Sequence, residues 1–320
     1  MSMPVGAARP SAIGYIGVGL MGHGAAGELL PNRQARVVVD AGGLLLVDGG
    51  FGYGQVIGAE AMNLAAARAR RHGACVIGIR NSGHLGRIGA WAEQLAQAGL
   101  VSVHFVNTSG YGILVAPHGG TERRLSANPV AAGAPGPRFP IVLDIATSVT
   151  AEGKIQVARN KGEALPEGQV LDGLGVPVTD PAAFYGPPPG AILAFGGHKG
   201  YGLSVFCELL AGALTGGGAS NPDSPTAWRL VNNMLTIAVD PGALGQADAF
   251  GLDVARLEEW LKSARPLGPG SEILLPGEIE ARMRARRSAE GIPLDAVTVA
   301  QLAGAARRLG VELPTELAHD

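Results

Sequence analysis

The chain has 320 residues, of which 47% are hydrophobic and only 16% are charged. This composition provides a substantial apolar core, in one large or two medium domains, and excludes a disordered protein. The net charge of −2 and the lack of a dense basic run argue against binding to nucleic acid or to a membrane surface. No apolar run reaches the ~18 residues of a membrane-spanning helix. Cys75 and Cys207 have no spacing typical of a disulfide or metal site, so we expect a folded protein of the reducing cytoplasm.

The first half of the chain alternates short apolar runs with alanine-rich segments. Runs of apolar and β-branched residues predict strands, and the amphipathic pattern of "GAEAMNLAAARARRH" predicts a helix. The predicted strands cover 43–49, 74–81 and 100–107, and the predicted helices cover 58–72 and 87–98. This alternation is typical of an α/β protein.

The second half continues with longer loops between its elements. "FPIVLDIA" and "NNMLTIAVDP" predict strands, and charged amphipathic patterns near the C-terminus predict exterior helices. The Pro- and Gly-rich stretch 183–190 and the stretch 216–225 are predicted to be loops. The predicted helices of this half cover 201–215, 253–264, 278–290 and 295–309.

A glycine-rich stretch near the N-terminus, "IGYIGVGLMGHGAAGELL", places Gly17, Gly19 and Gly22 in the G-x-G-x-x-G spacing of dinucleotide-binding folds. The run "ARVVVD" then ends in Asp40, about where such folds carry a ribose-binding carboxylate. Against this interpretation, 50 of the 320 residues are glycine, so the spacing arises easily by chance. The chain also lacks the regular strand and helix units that continue a Rossmann domain.

The strongest candidate for acid–base chemistry is His84, in "RNSGHLGRIG" (80–89). This turn follows a predicted strand and precedes a predicted helix, so the histidine is expected to face a cleft at the carboxyl end of the strand. Arg80 and Arg87 lie near enough in sequence to clamp a substrate carboxylate. The alternative is a histidine that caps the helix and contacts only backbone.

Two further stretches place polar side chains after strands. In "VLDIATSVTAEGK", Asp144 ends a predicted strand, where a buried carboxylate could orient a histidine, bind a ribose hydroxyl or cap the next helix. The other stretch follows residue 106, and its small side chains on loops suit a ribose or an amide, with loop capping as the alternative. These side chains are Asn107, Thr108, Ser109, Ser126 and Asn128.

A phosphate site is predicted at "FGGHKGYGL", where Gly196, Gly197, Gly200 and Gly202 surround His198 and Lys199 directly before a helix. Free backbone donors, the helix dipole and a cation converge there. The stretch lacks the spacing of a Walker motif, which disfavours kinase or ATPase chemistry. The alternative is a glycine-rich turn with a solvated lysine.

Six segments carry a resemblance to a known family: "RNSGHLGRIGAWAE", "VAPHGGTERRLSANP", "VLDIATS", "GGHKGYGL", "LLPGE" and "GIPLD". In this order they resemble the type-2 malate/L-lactate dehydrogenases, over about Pro31 to Val311. The resemblance implies an L-sulfolactate dehydrogenase-like α/β fold, a layered mixed sheet with flanking helices whose cofactor domain is not a Rossmann fold. It also implies an oxidoreductase, usually a homodimer, that uses NAD or NADP on small 2-hydroxy or 2-oxo acids.

Carried over to this chain, the resemblance implies site residues at matching positions. His84 lies where some members place their proton donor, and other members use a histidine in an N-terminal Ser-His-Gly motif followed by an arginine. His23 is the matching histidine here, but no serine precedes it and no arginine follows it. Arg87 is the expected partner of the substrate carboxylate. The implied cofactor contacts are Gly86, Thr108, Val142, Leu143, Asp144, His198, Lys199, Gly200 and Gly277.

The first 30 residues depart from this family and resemble the start of a β-hydroxyacid dehydrogenase. We therefore divide the chain into an atypical segment 1–30, a dehydrogenase-like body 31–311 with its cofactor-binding part at roughly 75–230, and a tail 312–320. No metal is expected, since no spacing of Asp, His and Cys forms a ligand set. The predicted activity is hydride transfer between a nicotinamide and a 2-oxo or 2-hydroxy acid. The alternatives are a dinucleotide-binding protein that has lost its acid and a scaffold protein.

Overall fold

The computed structural model describes residues 33–224, 229–294 and 296–312. The strands are β1 (Arg36–Ala41), β2 (Leu44–Asp48), β3 (Ala74–Ser82), β4 (Val101–Gly110), β5 (Val130–Ala134), β6 (Ile141–Ile145), β7 (Val170–Leu171), β8 (Pro177–Val178), β9 (Ala191–Ile192) and β10 (Leu230–Val239). The helices are α1 (Gly54–His72), α2 (Gly89–Gln97), α3 (Glu152–Lys161), α4 (Pro181–Tyr185), α5 (His198–Cys207), α6 (Ala247–Lys262), α7 (Glu278–Glu290) and α8 (Ala296–Leu309). A π-helical segment (Glu208–Ala213) continues α5, and a short 3₁₀ turn (Pro241–Leu244) follows β10.

A mixed seven-stranded sheet, in the order β1-β2-β3-β10-β4-β5-β6, forms the centre of the structure. Only β2 and β3 pair in parallel, and every other neighbouring pair is antiparallel. The carboxyl ends of β2, β3, β4 and β6 therefore meet the amino ends of β5 and β10 at one edge, which we call the polar edge. This arrangement confirms the predicted α/β fold with a layered mixed sheet and flanking helices.

Helices α1 and α2 cover one part of this sheet and enclose the main core. The buried residues of α1 include Ala61, Ala65 and Ala69, whose small side chains let the helix lie close to the sheet. A Cβ at Gly58 would lie 2.5 Å from the ring of Trp91, so the two helices cross where α1 has no side chain. The crossing fixes the start of α2, which follows the His84 turn.

A second, three-stranded sheet in the order β8-β7-β9 packs with α3 and α4 around its own apolar cluster. Phe184, Ile155 and Ile192 are buried in that cluster. Val115 pairs with Ile192, so this small sheet is joined to the segment that follows β4. After β9 the chain continues directly to the start of α5.

Several predicted boundaries are wrong. The helix predicted from residue 201 begins at His198, because Gly197 adopts a φ of +60° and turns the chain into the helix there. Part of the predicted loop 183–190 lies in α4, where Asp180 accepts a hydrogen bond from the N–H of Ala182 and caps the helix. The helix predicted at 253–264 is α6, which begins earlier, at Ala247.

One group of polar residues lies in a strand rather than on a loop. Thr108 and Ser109, just beyond the strand predicted over 100–107, were predicted to be loop residues, but β4 continues through them because β10 pairs with it as far as Leu230 and Gly110. Within the described part of the chain, no helix is both long and apolar enough to cross a membrane.

Candidate active site

His84 lies in the turn after β3, at the polar edge. Its Nδ1 accepts a hydrogen bond from the N–H of Gly86 at 3.0 Å, so the neutral ring carries its hydrogen on Nε2. Burial lowers the pKa of the imidazole below its usual value. The turn itself is anchored, because the N–H of Gly83 donates to the carbonyl of Gly52 at 2.9 Å. The site therefore holds a neutral histidine whose Nε2–H group is a hydrogen-bond donor.

Arg80 and Arg87 contact different carboxylates and do not share one. The Nε of Arg80 donates to Asp48 at 2.9 Å, at the end of β2. Arg87 donates to Glu93 at 2.6 Å and lies 3.9 Å from Asp144. The structure therefore does not support a single clamp formed by both guanidinium groups. The position of Arg87 as a carboxylate partner stays a prediction.

Asp144 lies near the end of β6, beneath the start of α2. Its carboxylate accepts a hydrogen bond from the N–H of Gly89, the first residue of α2, and lies near Arg87. Burial raises the pKa of this carboxyl, while the Gly89 N–H and the Arg87 charge oppose the rise. The sequence left three roles open for Asp144: orienting a histidine, binding a ribose hydroxyl or capping the next helix. These contacts show helix capping, but the capped helix is α2, which precedes Asp144 in the chain.

The residues predicted around Val142 and Gly277 lie together. The N–H of Val142 donates to the carbonyl of Pro276 at 3.1 Å, which attaches the segment before α7 to the start of β6. Gly277 has a φ of +86°, and a Cβ there would lie 3.1 Å from the N atom of Val142. Val142 is buried, whereas Leu143 is exposed. The structure thus brings two separate predicted cofactor contacts into one place.

The glycine-rich turn before α5 offers fewer free backbone donors than its sequence suggests. The N–H of Lys199 donates to Gly196, and the N–H of Gly200 donates to Phe195. Within the described residues, the N–H groups of Gly197 and His198 have no such partner, and the side chain of Lys199 is exposed. These two N–H groups, the positive end of the helix and the ammonium group suit the diphosphate of a dinucleotide. The donor set therefore fits a nicotinamide cofactor.

Thr108 is buried at the end of β4, and its Oγ1 accepts a hydrogen bond from Nδ2 of Asn232 at 3.0 Å. Asn232 also accepts the N–H of Leu85, the residue after His84, at 2.9 Å. Sequence reasoning missed Asn232, Asn233 and the buried Glu208, which join the ends of these strands. Two adjacent asparagines inside the apolar run "LVNNMLTIAV" were the available signal, because buried amides require partners.

Some predicted residues cannot be placed. Gly17, Gly19, Gly22 and His23 lie outside the described residues. Asp40 lies in β1, which runs antiparallel to β2, and its carboxylate forms an ion pair with Arg68 at 2.5 Å. Across residues 33–224, 229–294 and 296–312, no three His, Cys, Asp or Glu side chains are grouped so that they could hold a metal ion.

The comparisons with known proteins agree with this fold. The sequence model of the malate/L-lactate dehydrogenase family matches residues 19–303, which begins before Pro31 and includes His23. Hydroxycarboxylate dehydrogenase B of Escherichia coli (strain K12) is 42% identical over 290 residues, 89% of this chain and 79% of that protein. The L-lactate dehydrogenase of Cupriavidus necator is 39% identical over 287 residues, 89% of this chain and 82% of that protein.

The solved structure of sulfolactate dehydrogenase from Methanocaldococcus jannaschii has the same fold. It superposes with a TM-score of 0.76 at 34% identity and covers 90% of this chain and 82% of its own chain. The match to the family spans well over half of the chain and contains every candidate residue named above except Gly17. The chain therefore belongs to the malate/L-lactate dehydrogenase family, whose members carry out oxidoreduction of hydroxy and oxo acids.

Proposed function

We propose that the protein is an NAD- or NADP-dependent dehydrogenase that interconverts a small 2-hydroxy acid and its 2-oxo acid and works as a homodimer. The observation that carries the proposal is the fixed imidazole of His84 at the polar edge, beside the strand ends that hold the predicted cofactor residues. The reduced nicotinamide, when bound, supplies the hydride. The residues of this chain bind and orient the substrate and the cofactor, and one of them supplies the proton.

His84 is assigned to the reacting oxygen. In the reduction direction, the imidazolium form of His84 donates its Nε2 proton to the carbonyl oxygen of the 2-oxo acid and returns to the neutral ring. Protonation of Nδ1 to form this imidazolium breaks the hydrogen bond from Gly86. In the neutral ring, the hydrogen bond from Gly86 to Nδ1 places the ring hydrogen on Nε2. Since burial favours the neutral ring, the more acidic imidazolium form increases only as the pH falls below the usual range of histidine.

Arg87 is assigned to the carboxylate of the substrate. It now contacts Glu93, but Glu93 also accepts a hydrogen bond from Arg284 at 2.8 Å. Because Glu93 has a second cation, Arg87 can turn to a substrate carboxylate without leaving a carboxylate unpaired. The support for this role is the partly exposed guanidinium group beside the start of α2.

The cofactor is assigned to the loops around the ends of β4 and β6 and the start of α5. The free N–H groups of Gly197 and His198, with Lys199, are proposed to hold the diphosphate. The hydroxyl of Thr108 accepts from Asn232, so its own hydrogen remains available to a ligand. The remaining assigned contacts are Gly86, Val142, Leu143, Asp144, Gly200 and Gly277.

The test of the reaction is steady-state reduction of a panel of 2-oxo acids by NADH and NADPH. Pyruvate, oxaloacetate and sulfopyruvate cover the 2-oxo acids that correspond to lactate, malate and sulfolactate. Turnover of one of them supports the dehydrogenase. Cofactor binding without turnover supports the alternative, a catalytically impaired dinucleotide-binding protein, which is motivated by the missing serine and arginine around His23.

The first prediction concerns the proton donor. His84→Ala is expected to lower kcat by about 10²- to 10⁴-fold while cofactor affinity changes little, because a positioned general acid contributes about that much. In the wild type, reduction should become faster as the pH falls through a pKa below 6.5, the ordinary value for histidine. His23→Ala is the matched variant and should do less. Loss of turnover in His23→Ala alone would reverse the assignment.

The second prediction separates the two possible phosphate sites. Lys199→Ala should raise the dissociation constant of NADH or NADPH by ~10-fold or more, because a charge-assisted contact contributes ~1.5–3 kcal/mol. Gly19→Ala should leave it nearly unchanged, although it would crowd the diphosphate if the N-terminal glycines formed the site. Fluorescence titration measures both constants. A large loss of affinity in a folded Gly19→Ala variant would restore the Rossmann interpretation.

A further inference from the structure

Glu208 lies beneath the polar edge, where its buried carboxylate accepts four hydrogen bonds. Oε1 accepts from Nδ2 of Asn128 at 2.7 Å and from Oγ of Ser220 at 2.9 Å. Oε2 accepts from the N–H of Ser220 at 2.8 Å and from Nδ2 of Asn107 at 2.9 Å. Because an ionised carboxylate only accepts, each of these neighbours must point a donor at it.

The donor and acceptor directions set by Glu208 extend through the amide of Asn107 to the end of β3. With Nδ2 directed at Glu208, its Oδ1 accepts from Nδ2 of Asn233 at 3.0 Å. The Oδ1 of Asn233 then accepts the N–H of Asn81 at 2.9 Å. Asn81 needs this acceptor because Arg80 and Asn81 of β3 lie opposite the single residue Asn233 of β10, and its φ of +55° takes it out of the regular ladder.

Asn107 also orients the amide that holds the other end of the turn. Asn232 donates from Nδ2 to Oγ1 of Thr108 at 3.0 Å and to the carbonyl of Asn107 at 3.4 Å. Its Oδ1 is therefore left to accept the N–H of Leu85. The turn that carries His84 is thus held before and after the histidine by two adjacent asparagine side chains.

We propose that Glu208 is a positioning residue for His84, acting through Asn107 and Asn233 to fix the turn that carries the imidazole. The inference deepens the proposed function and rests on it. A glutamine at position 208 would have nearly the same size, but its amide hydrogens would meet Nδ2 of Asn128 in one orientation, and Nδ2 of Asn107 with the N–H of Ser220 in the other. In the second orientation the Asn107 amide must rotate, and the turn then loses an acceptor.

The position of Glu208 along the chain gives this network a second connection. Glu208 begins the π-helical segment that continues α5, and α5 starts at the proposed phosphate site, His198–Gly200. π-Helical turns inside helices occur frequently at functional sites. One continuous helix therefore joins the proposed cofactor site to the carboxylate that orients the proton donor.

The test compares Glu208→Gln with the wild type by kinetics and by ¹⁵N NMR of the histidine rings, with the His84 signals identified by their loss in His84→Ala. We expect kcat to fall at least ~10-fold, since small displacements of a reacting group can cost ~100-fold. The NADH dissociation constant should change little. The nitrogen shifts of His84, which report hydrogen on Nε2 in the wild type, should move toward each other as the tautomers mix.

Glu258→Gln is the matched control, because Glu258 is also a buried glutamate but pairs with Arg138, away from this network. It should leave kcat and the His84 signals unchanged. If Glu208→Gln does not fold, Asn233→Ala keeps Glu208 but removes the acceptor of the Asn81 N–H, together with the donor to Asn107 and Ser109, and should give the same NMR change. Unchanged His84 signals in a folded Glu208→Gln or Asn233→Ala variant would overturn the inference. A wild type that reduces no 2-oxo acid would refute the proposed function. The NMR comparison would still decide whether Glu208 positions His84.

Discussion

Two histidines of this protein show how surroundings decide what one residue type does. Nδ1 of His84 accepts a hydrogen bond from the backbone of Gly86, and its Nε2 has no hydrogen-bond partner among the described residues. His104 is completely buried in β4, and both of its nitrogens are paired, with Ser102 Oγ at 3.0 Å and Thr236 Oγ1 at 2.8 Å. Burial lowers the pKa of His104 to about 3. His104 is therefore a structural residue that resists protonation.

The pKa of His104 makes the folded protein sensitive to acid. Between pH 6.5 and about pH 3 the unfolded chain binds a proton at this residue that the folded chain does not, so stability should fall as the pH falls through this window. His104→Gln keeps a neutral side chain that can contact both hydroxyl groups. Relative to the wild type, the variant should gain about 2 kcal/mol of unfolding free energy between pH 8 and pH 5.

Urea unfolding at the two pH values measures this difference. His72→Gln is the control, because His72 is exposed at the end of α1. It should follow the pH dependence of the wild type. Parallel pH curves for His104→Gln and the wild type would contradict the expectation and show that His104 is protonated in the folded protein.

Sequence reasoning at the residue level proposed site residues but did not predict their hydrogen-bond partners. It predicted site roles for His84, Lys199, Asp144 and Gly277, and these roles stay predictions. The structure places His84 after β3, Asp144 in β6, Lys199 in the first turn of α5 and Gly277 directly before α7. It also expected free donors at Lys199 and Gly200, whose N–H groups instead bond to nearby carbonyls. Which donors remain free depends on the backbone path through the turn, and residue types do not specify this path.

At the scale of elements, periodicity predicted the interior helices and most strands because their burial patterns are local. The helix predicted over 58–72 is contained in α1, and the strand predicted over 74–81 is contained in β3. Strand order was not predictable from periodicity, because β10 inserts between β3 and β4 from more than a hundred residues away. That insertion supplies Asn232 and Asn233, so the part of the site that the sequence did not show depends on a long-range pairing.

The C-terminal helices illustrate a pattern that local reasoning described only in part. They were predicted to be charged exterior helices, and α7 is indeed mostly exposed. Its buried residue, Glu278, accepts hydrogen bonds from Lys262 of α6 at 2.7 Å and from Arg282 at 2.6 Å, and these contacts hold the pKa of the carboxyl at about 2. The Lys262–Glu278 ion pair fastens α7, and with it Gly277, to α6, whereas the Arg282–Glu278 pair lies within α7. A buried ion pair therefore joins these two helices.

At the scale of the whole molecule, α6 is unusual because it buries a charged side chain and exposes large apolar ones. Its buried residue is Glu258, whereas Leu257, Trp260 and Leu261 lie exposed on one helix face, with Trp260 76% exposed. Leu267, just beyond α6, is also fully exposed. A helix face of this kind is expected to be covered in the functional assembly, since soluble monomers rarely leave large apolar side chains grouped in water. In the proposed homodimer, a second copy of this chain covers it.

The last prediction follows from the symmetry of that dimer. A two-fold interface buries one Trp260 from each copy, so the substitution acts at two places per dimer, and Trp260→Lys should raise the dimer dissociation constant by at least ~100-fold. Leu174→Lys is the matched control, because Leu174 is 82% exposed but lies outside α6–α8. Sedimentation velocity over a range of concentrations should give twice the chain mass for the wild type and the control, and the monomer for Trp260→Lys. If Trp260→Lys remains as dimeric as the control, the two copies meet through another surface and the exposed face of α6 has a different partner.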